Sequence, residues 1–189
     1  MVYTLKACYT SIYSTTDEDQ FIKWNNNNHS CAILNVDGSC LGSPIRARYG
    51  GILRNYAGFF LLGFSGYIQN SSDILYTELY DIYKGLLLAK EMGIIDFVFY
   101  SDSLHCINIL NGPPMRFHTY AVLIQDIKEL LEQRNVMIHH TLREGNQCAD
   151  FFAKLGASSD VEFLQHESPP VNLKNLLQSD AAGIFFLRE

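Results

Sequence analysis

The chain has 189 residues, of which 48% are apolar and 18% are charged, and its formal net charge is −6. This composition excludes an intrinsically disordered chain, and the length favours one globular domain with tails. The acidic balance argues against non-specific, charge-driven binding of nucleic acid, so such a role would need metal ions or a local basic patch. No apolar run approaches the roughly 20 residues of a membrane span, and no signal-peptide pattern is seen, so we expect no membrane association.

The five cysteines are scattered through apolar segments and show no paired short spacing. An odd number of such residues favours reduced, packed thiols over disulfides or a zinc site. We therefore expect an intracellular protein, and the choice between nucleus and cytoplasm stays open.

Three parts are predicted along the chain: a loosely ordered leader (1–30), a central domain (31–157) and a C-terminal tail (158–189). In the leader, the apolar side chains of Phe21, Ile22 and Trp24 are candidates to dock on the domain. The tail contains Pro169 and Pro170 and one short amphipathic piece, so we interpret it as an appendage.

The central domain begins with three strand-like segments joined by short links, which is typical of an antiparallel meander. The apolar period then becomes helical, and helical and strand-like segments alternate to the end of the domain. The predicted strands cover residues 31–36, 49–54, 59–67, 97–100 and 136–142, and the predicted helices cover 75–92, 104–110, 120–134 and 146–155. This order predicts an α/β fold: a mixed five-stranded sheet, a three-strand meander followed by parallel strands, with helices on its faces.

Two aspartates are predicted to meet at one edge of this sheet. Asp37 follows the first strand and precedes a glycine turn, where Gly38, lacking a Cβ, would let a ligand approach closely. Asp102 ends the fourth strand, which a right-handed crossover makes parallel to the first. Open α/β sheets bind their ligands at this edge.

Two further acids are expected nearby. Glu78 lies early in the crossover helix, four residues before Ile82 on the apolar stripe, where an unpaired carboxylate is costly. Asp150 lies in the first turn of the domain's last helix. Each acid alone is more simply a helix cap or a solvated carboxylate, but that explanation leaves Glu78 on an apolar stripe unexplained.

Four converging carboxylates raise one another's pKa, and divalent cations would relieve the repulsion. Oxygen ligands without histidine or cysteine suit Mg²⁺ or Mn²⁺. Two such ions about 4 Å apart can support in-line cleavage of a phosphodiester.

In these segments the chain resembles the type 1 ribonuclease H superfamily. It is most similar to the branch found at the ends of plant non-LTR retrotransposon reverse transcriptases and in free-standing plant copies. The matching stretches, in order, are LNVDGS (34–39), YGGILRN (49–55), TEL (77–79), SDS (101–103), REGN (143–146), AD (149–150) and AK (153–154). A fainter likeness in the tail includes Asp180 and Gly183.

The resemblance implies a magnesium-dependent endonuclease that cuts the RNA strand of RNA–DNA hybrids and leaves 5′-phosphate and 3′-hydroxyl ends. By family role, Asp37 would bridge two Mg²⁺ ions, for which Mn²⁺ can substitute. Glu78 and Asp102 would each bind one ion, with Glu78 near the RNA 2′-hydroxyl. Asp150 would complete the metal site on the side of the attacking water.

Substrate contacts are implied near Gly38, Ser39 and Asn146, reading the 2′-hydroxyl in the groove and not the bases. The partner would be an RNA–DNA hybrid, and we expect a monomer.

Two features depart from the family pattern. The loop that often carries a mobile histidine reads Arg143 to Asn146 here, and His140 falls in the alternating strand, so we expect it to be a core or edge histidine. The basic hybrid-binding protrusion is also missing. Its nearest substitutes are Arg46, Arg48 and Arg54, which could equally face the hybrid or lie on a solvated hairpin.

Two alternatives stay open. The chain could be a catalytically weak or silent domain, derived from a retrotransposon, that binds nucleic acid or protein. It could also be a 3′–5′ exonuclease or a nuclease-fold scaffold, although such exonucleases carry an Asp-x-Glu pair where Asp37 is followed by Gly38 and Ser39.

Overall fold

The structure is a computed structural model that describes residues 21–25, 27–42, 45–158 and 161–188. The leader's first 20 residues, including Cys8, lie outside this part. The strands are β1 (Phe21–Ile22), β2 (Ala32–Leu41), β3 (Arg46–Arg54), β4 (Phe60–Ile68), β5 (Asp96–Ser101), β6 (Asn135–His140), β7 (Leu164–His166) and β8 (Phe186–Leu187). The helices are α1 (Ile74–Glu91), α2 (Leu104–Asn111), α3 (Ala121–Glu132), α4 (Gln147–Gly156) and α5 (Lys174–Ala181). None of the described helices is long and apolar enough to span a bilayer.

The main sheet is mixed and has the strand order β6-β5-β2-β3-β4-β7. Strands β2, β3 and β4 form the antiparallel meander, and β5 and β6 run parallel to β2. The predicted α/β fold and its five strands are therefore confirmed. A sixth strand, β7, comes from the tail and pairs with β4.

Strand β2 is longer than the sequence indicated. It continues through Asp37 and Gly38 to Leu41, paired with β3 throughout, so the expected glycine turn after Asp37 is wrong. The reason is that β3 supplies antiparallel partners beyond the point where the parallel pairing with β5 stops. The parallel pairing of β2 with β5 ends just before Asp37, but strand β2 itself continues beyond it.

Helix α1 forms where the apolar stripe predicted it. Leu79, Ile82, Leu86 and Ala89 are all buried against the sheet. The Asp73 carboxylate caps the helix by accepting a hydrogen bond from the backbone N–H of Tyr76, 3.0 Å away. The helix ends before Gly93, whose positive φ of 69° is the conformation that favours glycine.

Helices cover both faces of the sheet. Phe97 and Phe99 of β5 pack with α1, α2 and α3, whereas Val98 points to the opposite face and packs with Trp24. Helix α4 also lies on that face, where Phe152 packs on Ile52. The expected docking is confirmed for Ile22 and Trp24, which are both buried, and is wrong for Phe21, which is 60% exposed.

The tail contacts the domain through a buried ion pair. Arg54, at the end of β3, is fully buried, and its Nη1 lies 2.6 Å from Oδ2 of Asp180 in α5. Its guanidinium stacks over the Trp24 ring and donates to Oδ1 of Asn35. Both interpretations of Arg54 as a surface residue are therefore wrong, because the tail and leader cover it.

We predict that Asp180→Ala lowers the free energy of unfolding by about 3–5 kcal/mol, because it leaves a buried guanidinium without its counter-charge. Urea unfolding measures the change. Asp126→Ala, at an exposed position of α3, is the matched control and should change stability by less than about 0.5 kcal/mol. An equally small effect at Asp180 would contradict the view that this pair attaches the tail.

Candidate active site

Asp37 and Asp102 are adjacent at the edge of the parallel part of the sheet. The last parallel pair between β2 and β5 joins Val36 to Ser101, and each aspartate is the next residue in its strand direction. The predicted convergence of these two side chains follows directly from this register.

Asp150 completes one side of the site. It lies in the first turn of α4, and it lines a cleft of about 690 Å³ together with Asp37 and Asp102. Its carboxylate is ion-paired with Lys154 one turn later in the helix. Three of the four predicted acids therefore share one cleft.

Glu78 approaches the site from α1 but does not line the cleft. Its carboxylate accepts hydrogen bonds from the Ser103 hydroxyl and, more weakly, from the Cys106 thiol. A Cβ on Gly38 would lie 2.9 Å from the Cα of Glu78, so α1 could not pack this closely on any other residue. Glycine at 38 thus serves the packing of the helix, a reason different from the expected ligand approach.

The acids perturb one another's protonation. Burial, followed by the charges of Asp102 and Asp150, raises the pKa of Asp37 to about 8, while Arg143 acts in the opposite direction. Burial also raises the pKa of Asp102 and of Glu78. Burial and mutual repulsion therefore favour the protonated form of Asp37 more than water does.

The donor set has the chemistry that Mg²⁺ prefers, since it consists of carboxylate oxygens alone. Among the described residues, however, no three His, Cys, Asp or Glu side chains are arranged so that they could hold an ion. Asp150 contacts Lys154, Glu78 contacts Ser103, and Asp102 lies 3.7 Å from Arg143. Binding of a metal would require these carboxylates to exchange their present partners.

A fifth carboxylate, Asp81, was missed by the sequence analysis. It is fully buried in α1, and neither of its oxygens has a hydrogen-bond partner. Burial raises its pKa well above the ordinary value, and the charge of Asp37 raises it further. Its position three residues after Glu78, on the same helical face, was the available signal.

The remaining residues predicted to contact the substrate differ in whether they line the cleft. Ser39 faces Arg48 across the strand pair and accepts a hydrogen bond from its Nε at 3.0 Å. The Arg46 guanidinium lies over the Tyr67 ring. Ser39 lines the cleft, whereas neither arginine does.

Asn146 lines the cleft, but its side chain is buried and engaged. The amide donates to the backbone oxygen of Val36 at 2.8 Å and accepts from Asn35 at 3.1 Å. It occupies the N-cap position of α4 without making a side-chain cap, because its amide makes these contacts instead. Asn146 thereby connects the start of α4 to the residue before Asp37.

His140 is exposed at the end of β6, with its Nε2 3.1 Å from the backbone oxygen of Asp102. It is an edge histidine, one of the two positions expected. The loop that follows carries Arg143, whose side chain is 89% exposed.

The described cysteines, Cys31, Cys40, Cys106 and Cys148, are all free thiols. Cys148, two residues before Asp150, is buried and donates to Asp180 at 3.2 Å. Its contacts are those of a packed thiol.

Residues 35–156 match the model of a family described as "Reverse transcriptase-like". A curated protein of Arabidopsis thaliana named "Putative ribonuclease H protein" is 30% identical over 151 residues, which cover 79% of this chain. Those residues span only 24% of that relative, so the chain corresponds to about a quarter of its length.

Solved structures show the same fold at low sequence identity. Ribonuclease H1 from the halophilic archaeon Halobacterium salinarum is 22% identical, with a TM-score of 0.61 over 67% of this chain and 97% of that one. LC11-RNase H1, solved in complex with an RNA/DNA hybrid, is 20% identical, with a TM-score of 0.60 over 68% of this chain and 99% of that one. A foamy viral protease-reverse transcriptase, solved in complex with dsDNA, is 16% identical, with a TM-score of 0.59 over 68% and 95%.

The family match covers more than half of the chain and spans Asp37, Glu78, Asp102 and Asp150. The strand order and the solved relatives agree with it. This chain therefore belongs to the reverse transcriptase-like family, and its central domain has the ribonuclease H fold.

Proposed function

We propose that the domain is a magnesium-dependent endonuclease that hydrolyses the RNA strand of RNA–DNA hybrids. The observation that carries the proposal is the convergence of Asp37, Asp102 and Asp150 in one cleft, with the pKa of Asp37 raised to about 8. Crowded carboxylates of this kind are suited to divalent cations. The ribonuclease H name of the Arabidopsis relative and the hybrid bound by LC11-RNase H1 support the substrate class.

In this proposal, Asp37, Glu78, Asp102 and Asp150 hold two Mg²⁺ ions, and Mn²⁺ can replace them. The bound ions supply the Lewis acidity that activates a water and supports the leaving oxygen. The protein's part is to deliver the four carboxylates ionised and correctly oriented. Lys154 and Ser103 keep Asp150 and Glu78 in place beforehand by occupying their oxygens.

Substrate contacts are proposed for the part of β2 that follows Asp37 and for the neighbouring residues of β3. Gly38 and Ser39 follow Asp37 directly, and Arg48 lies beside Ser39. Together with Arg46, these residues would meet the sugar-phosphate backbone, which binding proteins contact irrespective of sequence. For Asn146, the buried amide favours positioning of Val36 and α4 over a direct contact with the hybrid.

A catalytically silent domain that binds nucleic acid or protein is the second candidate. Two observations favour it: the formal net charge of −6, and the absence, among the described residues, of a preformed group of three metal ligands. Cleavage and metal-binding experiments separate the two candidates.

We expect the protein to cut a labelled RNA–DNA hybrid in Mg²⁺, and to leave duplex DNA and single-stranded RNA intact. Asp102→Asn should reduce the cleavage rate at least about a hundredfold, because it removes a proposed ligand of the ions. Gel analysis of the products also tests for 5′-phosphate ends. Asp126→Asn, an exposed acid on α3, should cut like the wild type.

A folded protein that cuts no hybrid in Mg²⁺ or Mn²⁺ would refute the nuclease proposal and favour the silent binding domain. Equal activity of Asp102→Asn and wild type would instead locate the reaction outside this cleft.

The raised pKa of Asp37 makes the metal-free protein sensitive to pH. The folded state holds the Asp37 proton more tightly than the unfolded state, so this stability contribution is present below about pH 4 and is lost as the pH rises towards 8. Asp37→Asn should therefore be more stable than wild type at pH 7, on the order of 2 kcal/mol or roughly 4–8 °C in Tm, and the difference should vanish near pH 4. Thermal unfolding in EDTA at several pH values measures this.

Magnesium should reverse the order of stability of wild type and Asp37→Asn. Millimolar Mg²⁺ should raise the Tm of wild type at pH 7, because binding to the folded state alone stabilises it. Asp37→Asn should lose most of that response, while Asp126→Asn should keep it. If Mg²⁺ shifts wild type and Asp37→Asn equally, the ions bind elsewhere.

A further inference from the structure

A segment of the leader and a segment of the tail meet beside the candidate active site. Strands β1 and β8 form a two-stranded antiparallel ribbon in which Phe21 pairs with Leu187 and Ile22 pairs with Phe186. The ribbon lies outside residues 35–156, which the family model matches. It is thus an addition to the ribonuclease H fold and not a part of it.

The ribbon is fixed on the loop that leads to Asp150. Ile22 is buried, and a Cβ on Gly145 would lie 3.2 Å from its Cγ2 atom. On the other strand, Phe186 and Leu187 line the same cleft as Asp37, Asp102 and Asp150. One wall of the acidic cleft is therefore built by the C-terminal tail.

This wall exposes apolar groups next to a polar site. Phe185 is 54% exposed and Leu187 is 52% exposed, and Ile184 and Phe21 are also exposed. Core packing does not account for these side chains, since each keeps about half of its surface in water. Leu187 lines the acidic cleft itself, and the other three lie on or next to the same ribbon; a group of exposed apolar side chains is typical of a binding surface.

Cations lie within and beside the same wall. The Lys23 ammonium lies 5.6 Å from the centre of the Phe185 ring, and Arg143 extends its largely exposed guanidinium from the loop under the ribbon. Arg143 also lines the cleft. Lysine and arginine interleaved with exposed aromatic rings suit a sugar-phosphate chain, because the cations bind phosphates and the rings stack on bases or sugars.

We propose that the β1–β8 ribbon, with Lys23, Arg143, Phe185 and Leu187, is a nucleic-acid-binding rim of the active site. In this proposal, the rim contacts the part of the nucleic-acid strand that lies outside the cleft. The inference rests on the proposed nuclease function and assigns it a substrate-binding element. It also identifies a local basic and aromatic surface in a chain whose net charge is −6.

Charge complementarity favours nucleic acid as the occupant over a protein or a second copy of this chain. An acidic protein surface would meet Lys23 and Arg143 but would be repelled by the carboxylates of the adjoining cleft. A phosphate chain that enters the cleft with divalent cations meets attraction on both sides. The small size of the ribbon also falls well short of the area that a stable dimer buries.

The test compares Phe185→Ala combined with Leu187→Ala against Phe59→Ala. Phe59 is 70% exposed in the hairpin that joins β3 to β4, and it does not line the acidic cleft. The double variant should raise the KM for the hybrid about tenfold, with kcat within about twofold of wild type, since stacking contacts contribute to binding. Phe59→Ala should change neither constant. Phe185→Trp, which keeps an aromatic ring at this position, should bind the hybrid like the wild type.

Affinity is measured separately in the Asp102→Asn background, by fluorescence anisotropy of a labelled hybrid in Mg²⁺. The double variant should weaken this affinity about tenfold. Lys23→Gln should reduce the slope of log Kd against log salt by about one unit, as expected when one phosphate contact is lost. The Tm of each variant shows whether the fold is intact.

Unchanged KM, affinity and salt slope in folded variants would overturn the rim while the nuclease function stands. Faster cleavage by the double variant would also overturn it, because the ribbon would then cover the site. A loss of dimers on size exclusion, with unchanged hybrid affinity, would show an interface between copies instead. If wild type cuts no hybrid, the nuclease proposal fails, and the anisotropy series still decides whether the ribbon binds nucleic acid.

Discussion

The buried guanidinium of Arg54 is the constraint on which the arrangement of the site depends. A fully buried cation is stable only when each of its neighbours compensates it, and here Asp180, Asn35 and the Trp24 ring do so. These three partners come from the tail, the central strand β2 and the leader. Among the described residues of the central domain Arg54 has only neutral partners, so its counter-charge comes from the tail and the ring under its guanidinium comes from the leader.

The same network extends to the acids. Asn35 accepts hydrogen bonds from both Arg54 and Trp24, and its amide then donates to Asn146. Asn146 donates to the backbone of Val36, directly before Asp37, and begins the helix that carries Asp150. Two of the proposed metal ligands are thus oriented by a chain of buried hydrogen bonds, in which the loss of one member leaves its partners unpaired.

Two carboxylates of the site, unlike this network, lie in surroundings that disfavour their charged form. Asp37 carries a raised pKa, and Asp81 is buried without any hydrogen-bond partner. A buried hydrogen-bond network beside acids with raised pKa values is typical of a functional site, because the surrounding fold supplies the stability that the acids reduce. Divalent cations would relieve that strain, which is why metal and pH are expected to act on the same stability.

Much of the fold could be predicted from the apolar periodicity and from the order of the strands and helices. The apolar stripe fixed the face of α1, and the meander followed by parallel strands determined that Asp37 and Asp102 would be neighbours. These features depend on periodicity and connection rules, which a single sequence displays.

The features that escaped prediction depend on contacts distant in sequence. Arg54 reads as a hairpin arginine until Asp180, 126 residues later, is known to cover it. The pairing of β7 with β4 likewise depends on where the tail packs against the sheet. Asp81 was overlooked because a lone acid on an amphipathic helix ordinarily faces water, and only the packed structure shows that it does not.

The tail therefore has two separate effects on one site. Through Asp180 it neutralises Arg54 and supports the Asn35–Asn146 connection, and through Phe186 and Leu187 it forms a wall of the cleft. These contacts lie on opposite sides of the short segment that joins α5 to β8, so a displacement of the tail would disturb both orientation of the acids and the shape of the cleft. A ribonuclease H fold that ended with α4 would retain all four acids and lose both effects. The segments that flank the region matched by the family model therefore contribute both to the orientation of the acids and to the shape of the cleft.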